Sequence, residues 1–295
     1  MTVVTITEHA PAKINLYLDV LGKREDGFHE IETLMQTVSL EDELILSYTP
    51  CNVGGTDEEC EVALKIEGND DLSCGEENLV IRAVREYEKH RPLPGRLDII
   101  LKKRIPTEAG LGGGSADAAA ALRALNQLVS EPLDEALLLK IAASLGSDVP
   151  FCLRGGAQIC RGRGELLSDA ATIEGLHLVV VNSGERVSTP KAYSALDTVF
   201  GDFTSVPGRM EVNTVCSHLK TGRYDLFNIF EDVILPLCPL AKEAKEKLLS
   251  LGAKSALMSG SGPTVFGIFD DENEAKNACD ELSALGYSSF VAKSI

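Results

Sequence analysis

The chain of 295 residues is 44% hydrophobic and 25% charged, near the averages of globular proteins, which excludes disordered and fibrous classes and fits two domains. Its 28 basic and 45 acidic residues give a net charge of −17, which argues against nucleic acid as a partner because nucleic-acid binders need a basic surface. Eight cysteines without Cys-x-x-Cys spacing, no signal-peptide pattern and no apolar run of bilayer length predict a cytoplasmic protein without membrane contact.

The first half of the chain is predicted to contain strands and helices. Residues 13–21 alternate between apolar and polar side chains, which predicts a half-buried strand with Lys13 and Asn15 side by side on its polar face. A turn is predicted at Asp26-Gly27. The further predicted elements are strands 30–39 and 42–48, a helix over 78–90, a strand over 97–101, an alanine-rich helix over 116–129 and a helix from Asp134 to Gly146.

The pattern changes after Gly155-Gly156. Strands are predicted near 157–161 and 176–182, followed by a turn-rich stretch to about residue 222. The remainder is predicted as helix 241–251, strand 255–259, turn 260–263, strand 264–269, helix 272–285 and strand 288–293. This order is typical of a ferredoxin-like layer. The sequence therefore predicts an α+β protein with an N-terminal domain over 1–160 and a C-terminal domain over 161–295.

A glycine cluster stands between the strand at 97–101 and the alanine-rich helix. It reads Pro106-Thr-Glu-Ala-Gly-Leu-Gly-Gly-Gly-Ser-Ala-Asp117. Glycines let the backbone approach a ligand closely, and the following helix adds its positive end, which together predict a phosphate-binding loop. Ser115 and Asp117 stand where a dinucleotide fingerprint needs glycine or alanine, and the segment lacks the Gly-Lys-Ser/Thr ending of a P-loop.

Three segments together resemble the motifs of the GHMP kinase superfamily. They are Pro11-Ala-Lys-Ile-Asn-Leu, the loop from Pro106 to Ser115, and Met258-Ser-Gly-Ser-Gly-Pro-Thr-Val-Phe. Within the superfamily, Lys23-Arg-Glu-Asp-Gly-Phe-His, Glu77-Asn-Leu-Val and Gly146-Ser-Asp-Val-Pro-Phe are most similar to the 4-diphosphocytidyl-2-C-methyl-D-erythritol kinase family. The resemblance implies a two-domain GHMP kinase fold with an N-terminal ATP-binding domain and a C-terminal substrate domain. It also implies an ATP-dependent kinase of non-mevalonate isoprenoid biosynthesis that phosphorylates the 2-hydroxyl of a small-molecule diphosphocytidyl substrate.

The same resemblance implies roles for individual residues. Asp148 is expected to be the catalytic base, and Lys13 is expected beside the acceptor hydroxyl, where its charge favours the alkoxide. From the residues alone, Asp148 also fits a turn-stabilising role, and Lys13 also fits a solvated surface position. ATP is expected to contact Asn78, Lys103, Pro106, Gly110, Leu111, Gly112, Gly113, Gly114, Ser115 and Ala116. Mg²⁺ is expected with the ATP, and Ser115 is a candidate metal contact; Ala116 stands where the family often has a second serine.

The cytidine end of the expected substrate needs an aromatic slot and hydrogen-bonding groups. The resemblance assigns Phe28 and Tyr193 as the two stacking rings and His29 as the hydrogen-bond partner of the base. Asn15 and Thr189 are further expected substrate contacts. Each of the two aromatic rings also fits an ordinary position in a hydrophobic core.

Two other functions stay open from the sequence alone. One is another GHMP kinase, acting on mevalonate or homoserine, whose substrates carry no base to stack on Phe28 and Tyr193. The other is a catalytically silent relative that senses a ligand, which the presence of Lys13 and Asp148 disfavours. The sequence sets no oligomeric state.

Overall fold

A computed structural model describes residues 2–51, 60–170 and 174–295 of the chain. The chain divides into two compact units whose segments alternate along the sequence. The first unit comprises Met1–Ala12, Glu41–Ile105 and Gly112–Arg154, and the second comprises Lys13–Leu40, Pro106–Leu111 and Gly155–Ile295. The predicted boundary near residue 160 separates two domains that are each continuous in sequence. The alternating units are a different division of the chain, so this boundary stays a prediction.

Strands β1 (Val4–Lys23) and β2 (His29–Pro50) are long enough to contribute residues to both units. The other elements of the first unit are β3 (Glu61–Glu67), α1 (Leu79–Glu88), β4 (Gly95–Lys102), α2 (Gly113–Leu128), α3 (Glu135–Leu145) and α4 (Val149–Arg154). β4 pairs antiparallel with β2 and parallel with β3. Helix α2 packs against α1, and its fully buried alanines, 118–121, let the neighbouring helix approach closely.

The elements of the second unit after residue 155 are β5 (Ala157–Gly162), β6 (Leu166–Asp169), β7 (His177–Asn182), α5 (Thr189–Phe200), α6 (Val212–Lys220), β8 (Phe227–Asn228), α7 (Glu231–Ile234), α8 (Pro239–Ser250), β9 (Ser255–Met258), β10 (Val265–Phe269), α9 (Glu272–Ala284) and β11 (Ser288–Lys293). Four of these strands form an antiparallel sheet in the order β11-β7-β10-β9, with α8 and α9 packed on it. Apart from the elements α5 to α7, which are inserted together with β8 between β7 and α8, the order β7-α8-β9-β10-α9-β11 is the βαββαβ pattern of a ferredoxin-like layer. The predicted α+β class is confirmed.

Several boundaries differ from the predictions. β2 is one continuous strand where two were predicted, because no glycine or proline interrupts the chain between Ser39 and Asp42. α2 begins at Gly113, three residues before the predicted start, since glycine is a poor helix former and hides the first turn. The turn-rich stretch to residue 222 contains α5 and α6, and the prediction also missed β3, β6 and α4.

The polar face of β1 is buried, which corrects the prediction of a half-buried strand. Lys13, Asn15, Tyr17 and Asp19 are each less than 5% exposed. Burying such groups costs free energy unless they are hydrogen-bonded or paired, so their partners determine what this face does. In the described part of the chain, no helix has both the length and the apolar character needed to cross a membrane.

Candidate active site

Lys13 lies at the start of a buried hydrogen-bonded chain in the second unit. Its Nζ donates to Oδ1 of Asn15 at 2.7 Å, and Nδ2 of Asn15 donates to Oγ1 of Thr33 at 2.8 Å. Thr33 in turn donates to the backbone oxygen of Tyr17 at 2.6 Å. Each group therefore fixes the next, and the Lys13 ammonium is held in one orientation. Asn15 and Lys13 were predicted to be neighbours; Thr33, on the adjacent strand, was not identified.

Two glycine-rich segments come directly against each other near Lys13. A Cβ on Gly110 would lie 2.1 Å from the backbone oxygen of Ser259, whose hydroxyl donates to the oxygen of Gly110 at 2.9 Å. The backbone N–H of Lys13 donates to Leu111 at 3.0 Å, and a Cβ on Gly260 would lie 3.3 Å from Lys13 Nζ. These positions need glycine because another backbone or an ammonium occupies the space of a side chain.

Asn228 anchors the C-terminal glycine turn and was not identified from the sequence. It is buried in β8, and its Nδ2 donates to the backbone oxygens of Met258 at 2.7 Å and Gly260 at 2.8 Å. Its Oδ1 accepts from the N–H of Phe230 at 3.0 Å. One amide thus fixes the turn that approaches Lys13. No local pattern in Leu-Phe-Asn-Ile signals this role, because the two backbone oxygens that accept from Asn228 lie 30 and 32 residues further along the chain.

The predicted phosphate loop divides between the units after Leu111. Gly112 has a left-handed φ of 68° and forms the N-cap of α2, with no side chain to cap the helix. The first N–H groups of a helix lack intrahelical acceptors, so Gly113, Gly114 and Ser115 present an anion-binding helix end. The side chains of Leu111 and Ala116 are buried and can meet a ligand only through their backbone, and Pro106 is half-buried.

Lys103, Asp42 and Asp117 of α2 form a buried ion triad. The Lys103 ammonium donates to Asp42 and, at 2.6 Å, to Oδ2 of Asp117. Asp42 also accepts from the backbone N–H groups of Arg104 at 2.5 Å and Ile105 at 2.9 Å. Lys103, predicted as an ATP contact, therefore has its charge engaged by two carboxylates. The sequence showed Asp117 within the loop but gave no sign that it pairs with Lys103.

The triad perturbs the protonation of its members. Burial raises the pKa of Asp117 to about 7, although the charge of Lys103 opposes the shift, and Asp42 adds to it. Burial opposes the charged form of Lys103, but Asp117 and Asp42 outweigh it and raise the pKa of the ammonium. Among the residues that the structure describes, Oδ1 of Asp117 has no hydrogen-bond partner. The negative charge of this carboxylate is therefore destabilised.

Replacing Asp117 with asparagine is expected to change the pH dependence of stability. An unfolded aspartate titrates near about 3.9, so a folded pKa of about 7 makes the wild type lose stability as the pH rises between these values. The Asp117→Asn variant lacks this loss, so its free energy of unfolding should rise relative to wild type from pH 5 to pH 7. Urea unfolding at each pH measures the difference. The exposed Asp202→Asn serves as control, and parallel curves for wild type and Asp117→Asn would contradict the prediction.

Asp148 and Asn78 both lie at helix starts in the first unit. Asp148 is half-buried between α3 and α4, and its backbone oxygen accepts from Cys152 at 3.0 Å. Asn78 caps α1: its Oδ1 accepts from the N–H of Val80 at 2.9 Å, and its Nδ2 donates to the oxygen of Ser73 at 2.8 Å. The Asn78 amide therefore has a structural task besides the predicted adenine contact.

The predicted base-binding residues all lie in the second unit. Phe28 is 54% exposed, with the Arg163 guanidinium 4.9 Å from its ring centroid. The ring stacked on Tyr193 is that of His29, with centroids 4.6 Å apart. Thr189, the first residue of α5, lies 3.2 Å from the hydroxyl of Ser261 in the C-terminal glycine turn. The pairing of Phe28 with Tyr193 across a slot stays a prediction.

Comparison with known families agrees with this architecture. Residues 78–156 match the GHMP kinases N terminal domain, and residues 218–288 match GHMP kinases C terminal. These matches and the fold define a GHMP kinase. The 4-diphosphocytidyl-2-C-methyl-D-erythritol kinase of Pelotomaculum thermopropionicum is 43% identical over 92% of this chain and 92% of its own length. The chain belongs to the 4-diphosphocytidyl-2-C-methyl-D-erythritol kinase family of GHMP kinases.

Further relatives and solved structures support the assignment. The protein of the same name from Syntrophus aciditrophicus is 40% identical over 97% of this chain and 98% of its own. A crystal structure of 4-(cytidine 5'-diphospho)-2C-methyl-D-erythritol kinase superposes with a TM-score of 0.80 at 35% identity, covering 98% of both chains. Homoserine kinase from Cytophaga hutchinsonii, at 21% identity and a TM-score of 0.71 over 99% of this chain and 94% of its own, shares the fold.

Proposed function

We propose that this chain transfers the γ-phosphoryl group of ATP to the 2-hydroxyl of 4-diphosphocytidyl-2-C-methyl-D-erythritol, a step of non-mevalonate isoprenoid precursor biosynthesis. The observation that carries the proposal is near-full-length similarity, at up to 43% identity, to relatives that bear the name of this kinase. We place the enzyme in the cytoplasm because all eight cysteines are free thiols, which suits a reducing compartment.

The first unit supplies the proposed nucleotide contacts. We assign the phosphates of ATP to the N-terminal end of α2, where backbone N–H groups and the helix dipole favour an anion. Asn78 is assigned to adenine through the donor and acceptor capacity that its capping bonds leave. Lys103 is assigned a supporting role, since its ammonium joins Asp42 and Asp117 and thereby ties the end of β4 to α2.

Catalysis is assigned to Asp148 and Lys13. Asp148 accepts the proton of the acceptor hydroxyl as it attacks the γ-phosphorus, and the positive Lys13 stabilises the developing alkoxide. The hydrogen-bonded series from Lys13 through Asn15 to Thr33 supports this assignment, because it holds the ammonium in one orientation. Little covalent chemistry is required of the protein, so positioning and charge account for the rate.

Mg²⁺ is proposed to arrive with the phosphates of ATP. In the parts of the chain that the structure describes, no three His, Cys, Asp or Glu side chains form a metal-binding group. Mg²⁺ in kinases is usually held by phosphates and waters with one or two protein oxygens, so such a cluster is not required. The half-buried Ser115 hydroxyl, on the first turn of α2, suits one of these contacts. The ion would neutralise charge on the transferring phosphates.

Replacing Phe28 with alanine is expected to raise the KM for the cytidine-bearing acceptor roughly ten- to hundred-fold, the range that loss of one stacking ring implies. Arg163 covers one face of the ring, which leaves the other face for a base. Steady-state kinetics should show an unchanged KM for ATP. The exposed Leu166→Ala is the control, and an unchanged acceptor KM in Phe28→Ala would remove this ring from the site. Tyr193→Ala is a less clean test because Tyr193 also supports His29 and Phe230.

The proposed reaction is tested by incubating the pure protein with ATP, Mg²⁺ and one acceptor at a time. The acceptors are 4-diphosphocytidyl-2-C-methyl-D-erythritol, mevalonate and homoserine, and ADP release together with ³¹P NMR of the product reports turnover and its position. We expect turnover with the diphosphocytidyl acceptor and a new phosphate ester at the 2-position. Turnover with mevalonate or homoserine, but not with the diphosphocytidyl acceptor, would assign the chain to another GHMP kinase function. No turnover with any of the three acceptors would favour a catalytically silent relative.

A further inference from the structure

The ring of His29 is held on three sides by groups of the second unit. His29 is only 9% exposed. One face stacks on Tyr193 with 25° between the ring planes, and Phe203 meets the ring edge-on with centroids 5.9 Å apart. Nε2 lies 2.6 Å from Oδ1 of Asp197, on α5. Packing and a carboxylate therefore give the imidazole one orientation.

Asp197 also determines which ring nitrogen of His29 carries the proton. An ionised carboxylate only accepts hydrogen bonds, so Nε2 must donate, and a neutral imidazole then carries its lone pair on Nδ1. Partial burial acts to raise the pKa of Asp197, but hydrogen bonds from His29 and Lys23 outweigh it and hold the pKa below its ordinary value. Lys23 donates to Oδ2, the other oxygen, at 2.9 Å. The carboxylate thus stays ionised and leaves Nδ1 as the acceptor of the ring.

We propose that Asp197 is a positioning residue for base selection, which presents Nδ1 of His29 as an acceptor to a base that carries an exocyclic amine. This inference rests on the proposed function, in which the acceptor substrate ends in a cytidine diphosphate. Cytosine offers an amine at C4, whereas uracil offers a carbonyl oxygen there. An acceptor nitrogen facing that oxygen leaves both groups unpaired, and a site built around a specific partner rejects such an analogue.

The experiment compares CDP and UDP as competitors of the acceptor substrate. In the wild type, CDP should inhibit about tenfold more strongly than UDP or better, as one well-formed hydrogen bond implies. In Asp197→Asn the side-chain amide can donate to Nε2, which moves the proton to Nδ1 and turns it into a donor. The CDP-to-UDP preference should then fall about tenfold or invert, while the KM for ATP stays at the wild-type value.

Asp202→Asn is the matched control, because Asp202 is exposed two residues after α5 and its carboxylate accepts hydrogen bonds from Thr204 within its own turn. It should keep the wild-type preference. A folded Asp197→Asn variant that also keeps the preference would overturn the inference and leave the proposed function standing. If neither CDP nor UDP competes with the acceptor in the wild type, the cytidine-bearing substrate and the inference fall together.

A second measurement observes the tautomer of His29 in the wild-type protein directly. ¹⁵N NMR of the wild-type protein at neutral pH reports the protonation of each imidazole nitrogen, and His29 should show a protonated Nε2 and an unprotonated Nδ1. The His29 signals are assigned by comparison with His29→Gln. A proton on Nδ1 in the wild type would overturn the inference. In Asp197→Asn the proton should move towards Nδ1, a change that a merely structural role for Asp197 would not produce.

Discussion

Asp148→Asn should lower kcat by about two to four decades, the usual contribution of a positioned general base. The amide has nearly the shape of the carboxylate but cannot accept a proton from the acceptor hydroxyl. The backbone bond from Cys152 to Asp148 that opens α4 does not involve the side chain, so the segment should keep its fold. The KM for ATP should stay close to wild type, because Asp148 acts on the acceptor. Single-turnover kinetics with the diphosphocytidyl acceptor measures the chemical step directly.

Asp134→Asn is the matched control for this substitution. Asp134 lies in the same unit and caps α3, where its Oδ1 accepts from the N–H of Leu137 at 2.8 Å. Asparagine caps helices as well as aspartate does, so this variant should retain wild-type turnover and stability. If Asp148→Asn keeps more than about a third of wild-type turnover, far above the residual rate that loss of a general base leaves, Asp148 is not the catalytic base.

The sequence was sufficient where the signal was local. Alternation along β1 placed Lys13 beside Asn15, and the apolar and turn patterns after residue 240 predicted the order of α8, β9, β10, α9 and β11. The same alternation could not show that the polar face of β1 is buried. That depends on Thr33, a residue from another strand whose hydroxyl satisfies Asn15.

The residues that sequence reasoning missed depend on contacts between distant segments. Asp42 looks like an ordinary strand residue until Lys103, 61 positions later, is seen beside it. Asn228 has the same property, because its acceptors belong to a turn 30 residues away. A propensity or a period describes neighbours within about one turn of helix or one strand, and neither property encodes such pairings. The family resemblance singled out the glycine loop, Lys13 and Asp148. It did not single out residues such as Thr33 and Asn228, which hold neighbouring groups in position.

Gly110→Ala should destabilise the protein by roughly 2–5 kcal/mol, from two separate costs. Gly110 has a φ of 76°, a left-handed conformation that costs an L-residue about 1–2 kcal/mol. In addition, the new Cβ would lie 2.1 Å from the backbone oxygen of Ser259, so one backbone must shift, at the cost of an overpacked contact. Urea unfolding measures the sum of the two costs.

Gly222→Ala separates the two costs of Gly110→Ala. Gly222 has a similar φ of 73°, but a Cβ there would meet no heavy atom within 4 Å among the described residues, so its cost should be only about 1–2 kcal/mol. A shift of the loop at Gly110 would also move Leu111, whose oxygen accepts from the backbone N–H of Lys13. Gly110→Ala should therefore lose turnover even at temperatures where it is fully folded, whereas Gly222→Ala should not. Equal destabilisation of the two variants, with wild-type turnover in both, would show that Ser259 and Gly110 do not need their close contact to hold Lys13 in place.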